Sequence, residues 1–396
     1  MTDNNSSNKF SRDDLSQYQG LTETEPSLPS DWYYDAHWYT QEVNQIFYKS
    51  WIYLCHQSSI LENRGYRCFT VGDQNIILLK GDEGEFKAYH NTCRHRGSIL
   101  CENQNGRFHN GLIRCPYHQW AYDIQGQLIS TSSHWLPDNF HKADFSLLPV
   151  HVHNLDGGLF ICLAKEPPPI SESFERGSDR TENWPMQTLK IGHTWSKTLK
   201  CNWKIFWENF NECVHCPNIH PELCDLVPIY GRRVSYPQDV PGWQNQMDSE
   251  NPAFTGGLRK GADSWSMDGS ALPYKFSELN DEEIKRGQSY FVSLPSVFIA
   301  AHVDYMRTVR ILPTGPETTH ISVEWLFPAE TLEDKSLDLE NVIEFGKRVL
   351  LQDGQISELN QRGIKAHAFK EGVLMPEEHY VKGFQDWVRT QMEGID

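Results

Sequence analysis

Apolar positions first recur at helical spacing at Tyr39, Val43, Ile46 and Phe47, with Trp51 following, which predicts one amphipathic helix from about Ala36 that docks on a core. Residues 1–30, ahead of it, are polar and read as a loose arm. Between Tyr66 and His90 the texture changes to short strand-like runs at 66–71, 75–80 and 86–90, split by Gly72-Asp73 and by a glycine-bounded turn at 81–84. This small antiparallel unit closes with a strand at 158–164. Pro167-Pro168-Pro169 and the polar stretch behind it read as a linker. A second region opens with a strand at 193–199 and a helix from about Trp203. Four alternating runs follow at 288–294, 297–302, 306–312 and 321–327. In the last of them Ile321, Val323, Trp325 and Phe327 take every second position, as in an antiparallel sheet with one buried face. Helices at 338–361 and 377–392 finish the chain. The division is therefore an arm and docking helix at 1–50, a small β domain at 51–165, a linker at 166–189 and a larger domain at 190–396. Residues 235–274, rich in Gly, Pro, Ser and Asp, are too long for an ordinary connection and read either as a functional lid or as disorder.

Length and composition agree with two packed cores: 396 residues with 13 Trp, 16 Tyr and 19 Phe make a folded chain. A formal net charge of -17 argues against nucleic acid and against an anionic membrane surface. No apolar run reaches the length of a membrane span, and the polar start has no signal-peptide core. A cytoplasmic protein is expected, with its 10 cysteines serving as thiols or metal ligands. No glycine-rich loop for a dinucleotide or nucleoside triphosphate is present.

Chemistry concentrates in two places. Cys93-Arg94-His95 is followed by Cys115-Pro116-Tyr117-His118, so two tight loops each offer one thiolate and one imidazole. Such a set could hold zinc tetrahedrally, or a [2Fe-2S] cluster with thiolates on one iron and imidazoles on the other. Spacing alone does not decide. The second place is Glu212-Cys213-Val214-His215-Cys216-Pro217-Asn218-Ile219-His220. In an ideal helix His215 and His220 would stand about 140° apart, too far round to share one metal. Pro217 should end the helix near His215 and let the next turn bring His220 back. Two imidazoles suit iron, zinc, copper or nickel, and zinc could also recruit Cys213, Cys216 and Cys224. A carboxylate can be nominated by periodicity. On the helix at 338–361, Asp353 falls within about 20° of Val342, on the stripe of Phe345, Val349 and Ile356, whereas Glu340, Glu344 and Glu358 face away. A carboxylate alone on an apolar stripe is costly unless it is paired or metal-bound.

Taken together, Asn91-Thr92-Cys93-Arg94-His95-Arg96-Gly97, Arg114-Cys115-Pro116-Tyr117-His118-Gln119-Trp120 and the 208–221 stretch around His215 and His220 resemble the α subunits of Rieske non-haem iron oxygenases over nearly the whole chain. The family usually has Gly where Gln119 stands, a departure that does not threaten ligation by His118. The resemblance implies an α+β chain: a small antiparallel β Rieske domain, then a catalytic domain whose curved antiparallel sheet wraps around helices in a START-like helix grip. It implies a [2Fe-2S] cluster on Cys93, His95, Cys115 and His118, and mononuclear Fe(II) on His215, His220 and Asp353. Glu212 would then be no ligand but a bridge to the second cluster histidine, His118, of a neighbour in a head-to-tail homotrimer. Electrons would come from NAD(P)H through a separate reductase with flavin and a plant-type [2Fe-2S] cluster, and O2 would be the oxidant. Members with Glu at this place oxidise quaternary ammonium compounds such as betaines and carnitine, which suggests monooxygenation with N-demethylation. Aromatic ring hydroxylation is the alternative. A non-enzymatic Rieske electron carrier is a lesser one, since it would leave residues 190–396 idle.

Overall fold

The computed structural model describes residues 14–15, 17–173 and 181–394. Its smaller domain is a 7-stranded antiparallel sheet in the order Ile52–His56, Gly158–Cys162, Pro149–Leu155, Phe86–His90, Gln74–Lys80, Gly65–Val71, Asn105–Arg107. The central hairpin turns on Gly72 at φ +60, a conformation that glycine adopts without a Cβ clash. A 3-stranded sheet, Leu112–Arg114, Ala121–Asp123 and Leu128–Ser130, sits beside it. The two Cys/His segments lie in the loops that these strands support, one after Phe86–His90 and one between the first two strands of the smaller sheet.

The larger domain is built on a 5-stranded antiparallel sheet in the order Lys190–Leu199, Thr318–Phe327, Met306–Gly315, Val297–His302, Gln288–Ser293. The long helix Glu340–Ile364 and the helices Trp203–Phe210 and His379–Gln391 contribute to one core with it, in which Val342, Leu350, Trp207 and Phe384 join Val309, Ile311, Val323 and Trp325. The expected alternation on 321–327 is present, but the sheet is buried on both faces, not one. Its other face meets the smaller domain, and there Glu324, only 6% exposed, takes the place of an apolar residue. Its carboxylate accepts hydrogen bonds from Tyr53 Oη at 2.8 Å and from the His56 backbone N–H at 2.8 Å. A buried carboxylate so satisfied holds two domains in register, and a polar residue in a strand gave no sign of it.

Two other expectations need correction. Within the polar arm, Glu25–Pro29 is a strand paired with Glu371–Leu374, with Leu28 buried. Two prolines in five residues leave no period-2 signal, and an edge pairing tolerates them. Residues 1–13 and 16 lie outside the described part, as do 174–180 of the linker stretch. The rest of that stretch is packed: the Trp184 indole N–H donates to His302 O at 2.7 Å. The docking helix Ala36–Glu42 is tied down by Glu42, which pairs with the fully buried Lys204 and accepts from the Trp203 indole at 2.7 Å. No helix among the described residues is long and apolar enough to cross a membrane.

Candidate functional site

The two Cys/His loops share one backbone design. In the first, the Gly97 N–H donates to Cys93 O and the Cys93 N–H to Ser98 O; in the second, the Gln119 N–H donates to Cys115 O and the Cys115 N–H to Trp120 O. The residue four places after each cysteine therefore turns left-handed, Gly97 at φ +76 and Gln119 at φ +59. Both cysteines are buried, while His95 is exposed and His118 half-buried. The two imidazoles stand 4.6 Å apart between ring centroids, and His95 stacks on Trp120 at 4.8 Å. The Tyr122 hydroxyl lies 3.4 Å from Cys93 Sγ. Two inner thiolates and two outer imidazoles are the donor set of a Rieske cluster, with the imidazole side turned to the surface. A tetrahedral zinc would gather its donors more closely. Among the described residues, only His215, His220 and Asp353 form a group of three or more whose ligand atoms all lie within 4.8 Å of one another. Cys213, Cys216 and Cys224 do not form such a group.

The helix from Trp203 was expected to run to His215. It ends earlier, at Phe210, and His215 instead caps the short helix Cys216–Ile219. Pro217 thus begins a helical turn instead of ending one, a position where its missing N–H costs nothing. His220 follows immediately and precedes Pro221–Leu226, so the break does bring the rings together, with centroids 5.2 Å apart. Asp353, on the long helix, meets both: its Oδ1 lies 2.7 Å from His220 Nε2 and 3.4 Å from His215 Nε2. Ligands at about 2.1 Å from one ion at right angles stand about 3 Å apart, so this trio can hold one metal on three adjacent positions.

Hydrogen bonds behind the trio set which nitrogen each histidine offers. The Gln352 amide N–H donates to Glu222 Oε1 at 2.8 Å, so its carbonyl oxygen is the atom 2.7 Å from His220 Nδ1. A carbonyl only accepts; the proton of His220 is therefore on Nδ1 and Nε2 is left for a metal. Glu212 Oε1 does the same for His215 Nδ1 at 2.5 Å, while Glu212 Oε2 accepts from the Val214 and His215 backbone N–H groups. Glu212, the natural third ligand by proximity in sequence, is thus placed behind His215 and outside the donor trio. Burial pushes the His215 imidazole down, but hydrogen bonds to Asp353 and Glu212 outweigh it and raise it to about 10. His220 is likewise raised against its burial by Asp353, and burial of Asp353 is outweighed by the two imidazoles, which lower it. Such a site collects positive charge: protons without a metal, and a dication in their place with one. Gln352 carried no mark in the sequence beyond its place one residue before Asp353.

A cavity of about 780 Å³ opens on the trio. Phe210, Tyr230, Tyr236, Trp265, Tyr290 and Phe298 line it. The segment 235–274 contributes several lining residues and is folded into short helices at Pro237–Asp239, Trp243–Gln246 and Pro252–Thr255, which favours the lid over disorder.

Comparison with known proteins agrees with this geometry. Residues 186–394 match the ring hydroxylating alpha subunit (catalytic domain) family, and residues 50–135 match the Rieske [2Fe-2S] domain. The glycine betaine monooxygenase oxygenase subunit of Chromohalobacter salexigens is 29% identical over 400 residues, which cover 96% of this chain and 88% of that one. The carnitine monooxygenase oxygenase subunit of Acinetobacter baumannii is 25% identical, covering 91% of this chain and 94% of that one. The crystal structure of a quaternary ammonium Rieske monooxygenase in complex with L-carnitine shares the fold, with a TM-score of 0.71 at 21% identity over 93% of this chain and 96% of that one. With its catalytic-domain match spanning more than half of its length, the chain belongs to the ring hydroxylating alpha subunit family, and it couples a Rieske [2Fe-2S] domain to a mononuclear iron catalytic domain.

Proposed function

We propose that this chain is the oxygenase component of a cytoplasmic multicomponent Rieske system that hydroxylates an N-methyl group of a small quaternary ammonium compound of the betaine or carnitine type. The observation that carries this reading is the aromatic cavity that ends at His215, His220 and Asp353. A permanent cation has no proton to share and is held best by ring faces, each worth about 0.5 to 2 kcal/mol. The relatives named for glycine betaine and carnitine support the same class.

In this reading His215, His220 and Asp353 hold iron, and Cys93, His95, Cys115 and His118 hold the cluster. When bound, these groups supply O2 activation and single-electron delivery respectively. The chain's own residues do the rest. Gln352 and Glu212 keep the imidazole protons on Nδ1, so both Nε2 atoms stay directed at the metal position. The rings of Tyr230, Trp265, Tyr290 and Phe298 hold the ammonium and exclude water from the reacting methyl group. One oxygen atom of O2 enters the C–H bond, and the other leaves as water with two electrons and two protons. The N–CH2OH product then loses formaldehyde and a proton, leaving the tertiary amine. Glu212 would also accept a hydrogen bond from the partner subunit's His118 in a head-to-tail homotrimer. That contact would link the cluster of one subunit to the iron site of the next. Electrons would come from NAD(P)H through a flavin and plant-type [2Fe-2S] reductase.

The test is O2 uptake and formaldehyde release by the holoenzyme with NADH and a compatible reductase, against betaines, carnitine and simple aromatics. Formaldehyde in step with O2 from a quaternary ammonium compound is expected. Diol formation from an aromatic, with no formaldehyde from any betaine, would transfer the assignment to ring hydroxylation.

A further inference from the structure

Among the described residues that line the cavity opening on His215, His220 and Asp353, Arg307 is a buried positive side chain with no carboxylate beside it. It is only 3% exposed. Its strand alternates: Arg307, Val309 and Ile311 point to the helix side of the sheet, while Thr308 and Arg310 point to the smaller domain, where Thr308 meets Glu324 and Arg310 meets Leu54 O. Arg310 has there a carbonyl partner for one nitrogen and the Glu324 carboxylate in its electrostatic surroundings. Arg307 has neither: its Nε and Nη1 are buried without a hydrogen-bond partner, and among the described residues no carboxylate reaches within 4.0 Å of it. Of its neighbours, Tyr290, Tyr305 and His302, none supplies negative charge at neutral pH. Burial, with Arg307 nearby, holds the His302 imidazole well below its usual range, so it stays neutral.

Burying an unpaired charge is costly, and a guanidinium cannot shed its proton to escape that cost. The fold nevertheless makes a place for it. The long helix carries Gly346 where Arg307 rests, and a Cβ there would overlap Arg307 Nη1. Gly346 and Asp353 are seven residues apart on that helix, on the same face and about 10 Å apart along its axis. The guanidinium and the donor trio therefore open on one cavity about two helical turns apart. A small zwitterion, with its carboxylate only a few bonds from its quaternary nitrogen, suits such a spacing.

We propose that Arg307 is the anchor for a substrate carboxylate, so that the cavity selects a short zwitterionic betaine and rejects the corresponding alcohol or ester. Resting on the quaternary ammonium reading above, it narrows the substrate class: the ring faces hold the cation, and the Arg307 guanidinium donates to the carboxylate in the pairing that planar forks favour.

The test compares glycine betaine with its methyl ester, using wild-type and Arg307→Gln holoenzyme with reductase and following O2 uptake and formaldehyde. Wild type should prefer the acid in kcat/KM by about 100-fold or more, the scale of a buried charge pair with one partner removed. Arg307→Gln should lose that preference mainly through KM, with an unchanged visible cluster spectrum, and Arg307→Lys should restore part of it. Equal losses on acid and ester in Arg307→Gln would overturn the proposal, and so would a wild type indifferent to the ester. The wild-type ratio decides if the variant does not fold. Should no quaternary ammonium compound be turned over at all, the substrate reading fails by itself. Calorimetry with 3,3-dimethylbutanoate, in which carbon replaces the betaine nitrogen, then judges Arg307. Binding of that acid but not of 3,3-dimethyl-1-butanol would support the anchor, and no binding of the acid would overturn it.

Discussion

Asp353 Oδ1 stands 2.7 Å from His220 Nε2, although 133 residues separate them in the chain. The carboxylate reaches the two histidines because the long helix passes over the broken 215–220 segment. Asp353→Ala would leave that segment without its carboxylate and the apolar stripe otherwise intact. Turnover should fall below detection, and iron content should drop to that of the cluster alone. The visible spectrum of the cluster should be unchanged, because the cluster loops lie in the other domain. Retained turnover in Asp353→Ala would exclude it from the donor set.

Gln352 offers a finer test of the same centre. Its amide is held by Glu222 on one side and faces His220 Nδ1 on the other. Gln352→Leu keeps the volume but lets the imidazole rotate or change tautomer. Partners of this kind are worth about 10- to 100-fold in metal affinity or activity. Iron retention after dialysis against a chelator should therefore weaken by that order, with the fold intact by circular dichroism. An unchanged off-rate for iron would show that the ring is held by packing alone.

The legible part of this chain is the part in which a period or a spacing carries the information. Asp353 stood out because a carboxylate interrupted a helical stripe, and the hairpins of the smaller domain stood out because glycines punctuate alternating runs. What stayed hidden depends on partners distant in sequence. Glu324 and Arg307 look alike as polar residues in strands, yet one is satisfied by Tyr53 and His56 across a domain boundary and the other is left open toward a cavity. No local pattern separates them. Pro217 misled for a local reason, since proline ends a helix it interrupts and begins one it precedes, and the difference lies in whether the turn has already started.

Gln119 occupies a left-handed backbone position, φ +59, that its counterpart Gly97 fills at no steric cost. For a residue with a Cβ that conformation costs about 1 to 2 kcal/mol. The Gln119 side chain recovers little of it, since its one hydrogen bond is a long 3.4 Å contact to Pro116 O. Gln119→Gly should therefore stabilise the holoprotein by about 1 kcal/mol, partly offset by the greater backbone freedom of glycine when unfolded. Urea denaturation followed by loss of cluster absorbance would measure it. A lower midpoint in the variant would mean that the glutamine makes a contribution beyond the loop itself.

Glu208 links the helix Trp203–Phe210 to the last helix and should make the protein alkali-sensitive. Its Oε1 accepts from Tyr33 Oη at 2.6 Å and from Gln385 Nε2 at 2.9 Å. Burial dominates even so and raises its carboxyl to about 7. A folded-state value above the unfolded one means that the folded chain holds the proton more tightly. That stability is fully present below about pH 4.5 and is lost as pH rises through about 7. Glu208→Gln keeps a carbonyl oxygen for both donors but has no proton to lose. Its stability relative to wild type should therefore rise between about pH 4.5 and 7 and then level off, with a total gain on the order of 3 kcal/mol. Urea titrations of both proteins at pH 5 and pH 8 give the comparison directly. A difference independent of pH would show that Glu208 is already ionised across this range, with Lys204 compensating its charge in the folded chain.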